Sequence, residues 1–309
     1  MKITFLGTGN AWGLNELSQD ALSQAVLAST DPRDKRLRTS LYLEIDSQKI
    51  LVDCGPDFSH QRRKYGVASI DTLLITHPHP DHIGGLDDLT PYKRARKEWT
   101  PIPAYAHPDA WKDIKESRGF DYLIGNKNDG KVLEQKDIES GREESIGNVV
   151  ITPFKTFHGK FAPGSVGYIF DIKGKRIVYT SDFGYIENGE ERIIEKLINI
   201  LIIEANWFNE PEKNSWGHMS FQRAIEFIKR WNPSEVYFVH FGDEDQIPND
   251  PWNVLPSKWK PRELLPYDVP KIHQEWDRSI RAAFSKDTAL KKYCLQKDIV
   301  AYDGLTITK

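Results

Sequence analysis

A chain of 309 residues is long enough for one large domain or two ordinary ones and can bury roughly three quarters of its surface. Charged residues make up 28% and apolar residues 39%, the net charge is only -3, and no run of five like charges occurs, which argues against a nucleic-acid backbone or an anionic membrane as the main partner. Cys54 and Cys294 are too few for a disulfide framework or a sulfur-based zinc site, so any metal must be held by histidines and carboxylates.

Short β-rich runs recur along the chain at 3–6, 40–45, 50–52, 72–75, 149–151, 167–172, 176–179, 200–203 and 236–239. A helix is predicted over 220–231, where Phe221, Ala224, Ile225 and Ile228 share one face and Pro233 follows the end. Strand blocks interleaved with helices fit sheets covered by helices, and no linker divides the chain, so residues 1–309 are read as one domain. Two stretches read as insertions on that frame. Residues 14–38 are polar and end in DPRDKRLR; residues 243–271 hold six prolines with Trp252 and Trp259, and suit a lid or a segment packed onto the frame. No apolar run approaches the ~20 residues of a membrane span, and MKITFLGTGN passes straight into strand and turn, so a cytoplasmic protein without a membrane partner is expected.

The chemistry concentrates where the buried strand ending in Leu73, Leu74 and Ile75 delivers Thr76, His77, Pro78, His79, Pro80, Asp81 and His82. His77 and His79, two apart in an extended segment, can point the same way to grip one ion, while Asp81 and His82 lie past the turn and can reach a second. The prolines fix φ and lower the entropy lost when ligands converge. The bland alternative is a histidine-rich surface loop that binds nothing. Packing gains nothing from such a cluster, and the spacing His-x-His-x-Asp-His is specific.

With these residues in view, the sequence resembles the metallo-β-lactamase superfamily over nearly its whole length. FLGTG (5–9) looks like its opening strand and turn, and ILVDCGPDFSHQ followed by IDTLLITHPHPDHIGGLDDL is similar to the phosphodiesterase branch that includes the PhnP-type cyclic phosphate phosphodiesterases. AYDGL (301–305) looks like the terminal strand of that branch. The resemblance implies an α/β fold, a four-layer αββα sandwich of two mixed sheets covered by helices. It also implies a distributed ligand set: His77, His79 and His158 on one ion, Asp81, His82 and His240 on the other, and Asp182 between them. Each later member has a plain reading too. His158 before Gly159 suits a turn, Asp182 a turn cap, and His240 a satisfied core histidine.

Glu204, delivered by the strand 200–203, and His218, just before the helix, resemble the carboxylate and nonligand histidine of the phosphodiesterase side, including transfer-RNA 3'-processing nucleases. A solvent-exposed cap histidine is the plain alternative for His218. The implied reaction is hydrolysis of a cyclic or nucleotide-like phosphodiester by a hydroxide activated between two divalent ions (Zn, Mn or Fe). Asp81 would orient the hydroxide, and His218, steered by Glu204, would protonate the leaving group. The expected partner is a small-molecule phosphodiester; nucleic acid is not favoured, and a homodimer is left open.

Departures stand beside the likeness. AWGLNELSQD holds no cysteine for the additional zinc of PhnP-type enzymes, and both x positions of the motif are proline where small residues are usual. Three rivals are a transfer-RNA-processing nuclease, which should carry a long basic arm, a lactone or thioester hydrolase, and a PqqB-like noncatalytic metal-binding accessory protein, against which the full ligand set argues. Arg62, Arg63, Lys93, Arg94 and Arg96 are either anion contacts or solvated faces. His60, His107 and His273 fall outside the motif order and are read as structural or surface residues.

Overall fold

A computed structural model describes residues 1–12, 21–187, 189–194, 196–210, 217–242 and 267–309. The first half runs through β1 (Lys2–Gly7), α1 (Ala21–Ala28), β2 (Ser40–Ile45), β3 (Gln48–Val52), α2 (Phe58–Tyr65), β4 (Thr72–Leu74), α3 (Pro80–Ile83) and α4 (Thr90–Ala95). It continues with β5 (Ile102–Ala106), α5 (Pro108–Glu116), β6 (Ile124–Gly125) and β7 (Leu133–Asp137). The second half comprises β8 (Glu144–Ile146), β9 (Val149–Phe157), β10 (Val166–Ile172), β11 (Lys175–Tyr179), β12 (Tyr185–Ile186), α6 (Glu191–Ile194) and β13 (Ile200–Glu204). Then come α7 (Phe221–Trp231), β14 (Glu235–Val239), α8 (His273–Ser285) and β15 (Thr306–Thr308).

Among the described residues the strands make two mixed sheets. The first has the order β15–β1–β2–β3–β4–β5–β7–β6, antiparallel as far as β3 and parallel beyond it. The second has the order β12–β9–β10–β11–β13–β14 with β8 on β9, and it too changes from antiparallel to parallel, at β11. Alternation within strands builds the layers. Leu41, Leu43 and Ile45 of β2 face Val149, Ile151, Tyr168 and Phe170 between the sheets, whereas Tyr42 joins the cluster under α2, α4 and α5. The other face of the second sheet packs Phe154, Ile169 and Leu201 against Phe221, Ile228, Trp276 and Phe284 of α7 and α8. The result is the αββα sandwich that the resemblance implies.

Helix α7 matches the predicted 220–231. The Ser220 side chain accepts from the Arg223 N–H at its start, and Asn232 in the left-handed region ends it before Pro233. Strand β9 runs six residues beyond the predicted 149–151, because Pro153 breaks the alternation without breaking the ladder. At Pro153 only β10 pairs with β9, since β8 covers Val149 to Ile151 and β12 covers Thr156 and Phe157. The terminal strand expected at 301–305 is corrected: those residues form a turn, with Gly304 at φ 90 donating its N–H to Phe5 O, and the strand begins at Thr306. Of the two insertions, residues 243–266, with Trp252 and Trp259, and residues 13–20 lie outside the described residues.

Candidate metal centre

All the implied ligands project from the carboxyl ends of strands in the two sheets. After β4 the backbone stays extended through His79, then Pro80 opens the single turn of α3, which turns Asp81 and His82 back toward His77. The loop is clamped to its neighbour by Cys54 N–H donating to His82 O and Gly85 N–H donating to Cys54 O. A Cβ on Gly55 would lie 2.0 Å from Asp81 O, so only glycine allows that approach. His158 follows β9, Asp182 lies just past β11, Glu204 ends β13, and His240 follows β14.

Two groups of donors result: His77, His79 and His158, and Asp81, His82, Asp182 and His240, with the donor atoms of each group within 4.8 Å of one another. Asp182 Oδ2 sits between them, 2.9 Å from His240 Nε2, 3.2 Å from His82 Nε2, 3.8 Å from His158 Nε2 and 3.9 Å from His77 Nε2. Asp81 Oδ2 is 3.0 Å from His82 Nε2. Buried polar atoms normally find hydrogen-bond partners, yet His77 Nε2, His82 Nε2, His240 Nε2 and Asp182 Oδ1 have none. Lone pairs converging without hydrogens to share are what a divalent cation satisfies, so these residues fit metal ions.

Hydrogen bonds behind the imidazoles set their tautomers. Thr76 Oγ1 donates to Asp53 Oδ2 at 2.8 Å and so accepts from His77 Nδ1–H at 2.9 Å, while His158 Nδ1–H donates to Gly217 O at 3.0 Å. Both leave Nε2 without a hydrogen, that of His77 unpartnered and that of His158 3.0 Å from His79 Nδ1. Burial pushes the imidazoles of His77 and His158 well below the ordinary histidine range and that of His79 down to about 4, so all three are neutral ligands at neutral pH. Burial opposes charge on His82 and His240 as well, but Asp81 and Asp182 lift the former and Asp182 the latter well above that range.

Asp53 is a functional residue that sequence reasoning missed. It lies within ILVDCGPD, just past β3, with φ 60, and its carboxylate accepts from Thr76 N–H at 2.8 Å and from His82 Nδ1–H at 2.7 Å. The aspartate after a buried strand was the visible signal; its reach to His82 needs the β3–β4 pairing. Ser181 and His240 share the left-handed backbone, at φ 56 and φ 57. Such conformations cost about 1–3 kcal/mol each and persist where surrounding structure imposes them, commonly at functional sites.

Glu204 and His218 meet as expected, with His218 Nδ1–H donating to Glu204 Oε1 at 2.5 Å. Burial opposes charge on His218, but Glu204 raises its pKa above the ordinary value. Glu204 Oε2 is held by the N–H groups of Phe183 and Met219, and Oε1 also lies 3.2 Å from His240 Nδ1. One buried carboxylate therefore bonds one imidazole and lies beside a second, where the sequence suggested only the first. Arg62 lies over Tyr92, Arg63 bonds Ser59, Lys93 bonds Gly130 O and Arg96 bonds Ile70 O; with Arg94 they belong to α2, α4 and the adjoining turn, away from the imidazoles. His107 caps α5, His60 lies on α2, and His273 donates its N–H to Asp34 Oδ1 and accepts from Arg36.

Comparison with known proteins bears on this geometry. A family model for the beta-lactamase superfamily domain matches residues 48–241, from β3 to the residue after His240. The chain belongs to the beta-lactamase superfamily. Among curated proteins it is similar to the octanoyltransferase of Porphyromonas gingivalis, 26% identical over 83% of this chain and 49% of that protein, so the chain spans about half that relative's length. It is also similar to the exodeoxyribonuclease WalJ of Streptococcus pneumoniae, 30% identical over 67% of this chain and 79% of that protein. The crystal structure of a diphosphatase from the PhnP family superposes with a TM-score of 0.71 at 22% identity, covering 99% of this chain and 96% of the other, which is a likeness of fold.

Proposed function

We propose that the protein is a metal-dependent hydrolase, a phosphodiesterase acting on a cyclic or nucleotide-like phosphodiester. His77, His79 and His158 would hold one divalent ion, Asp81, His82 and His240 a second, and Asp182 would join them. The observation that carries this reading is the convergence of both donor groups on Asp182 Oδ2 with the Glu204–His218 pair alongside. Two bound ions supply Lewis acidity, neutralising charge on phosphate oxygens and making a water acidic enough to act near neutral pH. Zn, Mn and Fe each suit imidazole and carboxylate donors.

The protein's own groups do the rest. Asp81, ionised and held beside His82, accepts a hydrogen bond from the attacking water and aims it. His218, its Nδ1–H engaged by Glu204, keeps its other nitrogen to carry a proton for the leaving oxygen, a contribution of about 10²–10⁴-fold. Likeness to an exodeoxyribonuclease supports a phosphodiester bond as the target. The octanoyltransferase is about twice as long as the match, so its name describes more than this domain. Residues 1–309 act as one domain with insertions near 14–38 and 243–271, in a cytoplasmic setting that suits the free thiols of Cys54 and Cys294. Among the described residues, no helix is long and apolar enough to cross a membrane.

Two variants test the reading. His79→Ala is expected to lower metal content, measured by elemental analysis, and to abolish hydrolysis of bis(p-nitrophenyl) phosphate; His218→Ala is expected to keep its metal and lose about 10²–10⁴-fold in rate. A His218→Ala protein as fast as the parent would sink the general-acid role. Hydrolysis of lactones or thioesters by a metal-loaded parent that leaves every phosphodiester intact would sink the substrate class.

A further inference from the structure

Beside His158 the centre adjoins a cavity of about 200 Å³ that the mechanism above leaves unused. Its wall runs from the end of β9 along residues 159 and 162–165 to the first turn of α5, with Glu187 at the end of β12 completing it. A site for a drug-sized ligand holds roughly 300–1,000 Å³, so this one admits a single ring system.

Its chemistry is aromatic and mixed-polar. Phe157 lines the cavity, and Tyr185, its cross-strand partner, stacks on it with ring centroids 4.5 Å apart and planes within 12°. Tyr185 is 49% exposed, which is unusual for an aromatic ring placed three residues after the central Asp182. Two exposed carboxylates, Asp109 and Glu187, and one half-buried ammonium, Lys155, stand along it. The His107 imidazole accepts the Asp109 N–H on Nδ1, and burial pushes its pKa down, so it is a neutral ring with its proton on Nε2. The Thr156 and Ser165 hydroxyls are 2.9 Å apart and bond each other.

This set discriminates among occupants. A phosphate would meet two carboxylates against one ammonium, and an alkyl group would answer none of the polar groups along the wall. A planar heterocycle satisfies both sides: its N–H donors answer the carboxylates, its carbonyl or ring nitrogen answers Lys155 and His107, and its π face extends the aromatic pair.

We propose that this cavity is a nucleobase subsite, so that the substrate is a nucleotidyl phosphodiester with its base against Phe157, which Tyr185 backs, and its phosphate at the centre beside His158. The assignment rests on the phosphodiesterase reading of that centre and names its substrate class.

Calorimetric titration of the metal-loaded protein with adenosine 5'-monophosphate and with ribose 5-phosphate isolates the base. The nucleotide is expected to bind at least tenfold more tightly, in line with one stacked base. Tyr185→Leu, which keeps an apolar side chain on the strand, and Lys155→Gln are each expected to shrink that advantage severalfold. Equal binding of the two ligands by the parent, or an undiminished advantage in both variants, overturns the subsite. Hydrolysis of methyl p-nitrophenyl phosphate, which has no base, reports on the phosphodiesterase reading separately. If that activity is absent while the base-dependent advantage and its loss in the variants are seen, the subsite stands and the phosphodiesterase reading falls.

Discussion

The two halves of the candidate metal centre are built differently. One half leaves β4 as a single loop, in which His77, His79, Asp81 and His82 lie within six residues and Pro78 and Pro80 stiffen the path. The other half, His158, Asp182, Glu204 and His240, comes from four separate strand ends of the second sheet, and its members meet only because β9, β11, β13 and β14 finish at the same edge. The first half is organised by covalent neighbours, the second by strand register. A register slip of one residue would turn a ligand to the opposite face of its sheet. Left-handed backbone occurs in both, at Asp53 behind the loop and at Ser181 and His240 in the second half, where the surrounding structure imposes a conformation the local sequence does not favour.

Breaking the join between the halves should have the largest effect. Asp182→Ala removes the oxygen that both donor groups approach, so metal content should fall for both ions and phosphodiesterase rate by about 10³-fold or more. Elemental analysis beside the rate checks it; retention of both ions would show that the halves are independent. Asp53→Asn acts on the loop half alone, by loosening His82 directly and His77 through Thr76, and should weaken metal binding by about 10–100-fold in a chelator competition.

The dispersed half also leans on the two ends of the chain. Arg36 is fully buried, lies 4.3 Å over the Phe241 ring next to His240, and donates to Thr8 Oγ1 and Ala301 O. Asp303 accepts from Thr8 Oγ1 and Leu37 N–H, and burial raises its pKa from 3.8 to about 6 in spite of those bonds and of Arg36. Because the folded value exceeds the unfolded one, the folded state holds the extra proton between about pH 4 and 6. Stability from this group is full below that window and lost as pH rises through it. Relative to the parent, Asp303→Asn should therefore gain up to about 3 kcal/mol between pH 4 and pH 7, read from urea unfolding at both. A difference that is flat with pH would mean that Asp303 stays ionised throughout.

The smallest effect is expected at the prolines. Pro78→Ala frees one φ in the unliganded loop and should weaken metal binding only a few-fold, without loss of maximal rate at saturating metal. A loss as large as that of Asp53→Asn would mean that the proline shapes the site rather than stiffening it.

Legibility in the sequence divides along the same line. The loop half stood out because its donors are neighbours in the chain, and α7 because its apolar spacing and its ends agree. Strands such as β5 and β7 were not legible: Pro103 interrupts one and alternating charged residues fill the other, and each becomes a strand through its parallel partner. The order of His158, Asp182 and His240 was readable only through resemblance to a family, since each alone suits a turn or a core. Asp53 was overlooked because its target, His82, is reached across a strand pair.

By itself, then, the sequence determined a loop of closely spaced histidines and a carboxylate at the end of a buried strand, suited to metal, because donor type and spacing are local properties. Only the tertiary structure decided that Asp182 Oδ2 lies between two groups of imidazoles, that Glu204 bonds His218 and lies beside His240, and that Asp53 sets the tautomer of His82. Those facts depend on distances between residues far apart in the chain, and the packing of two sheets is what sets them.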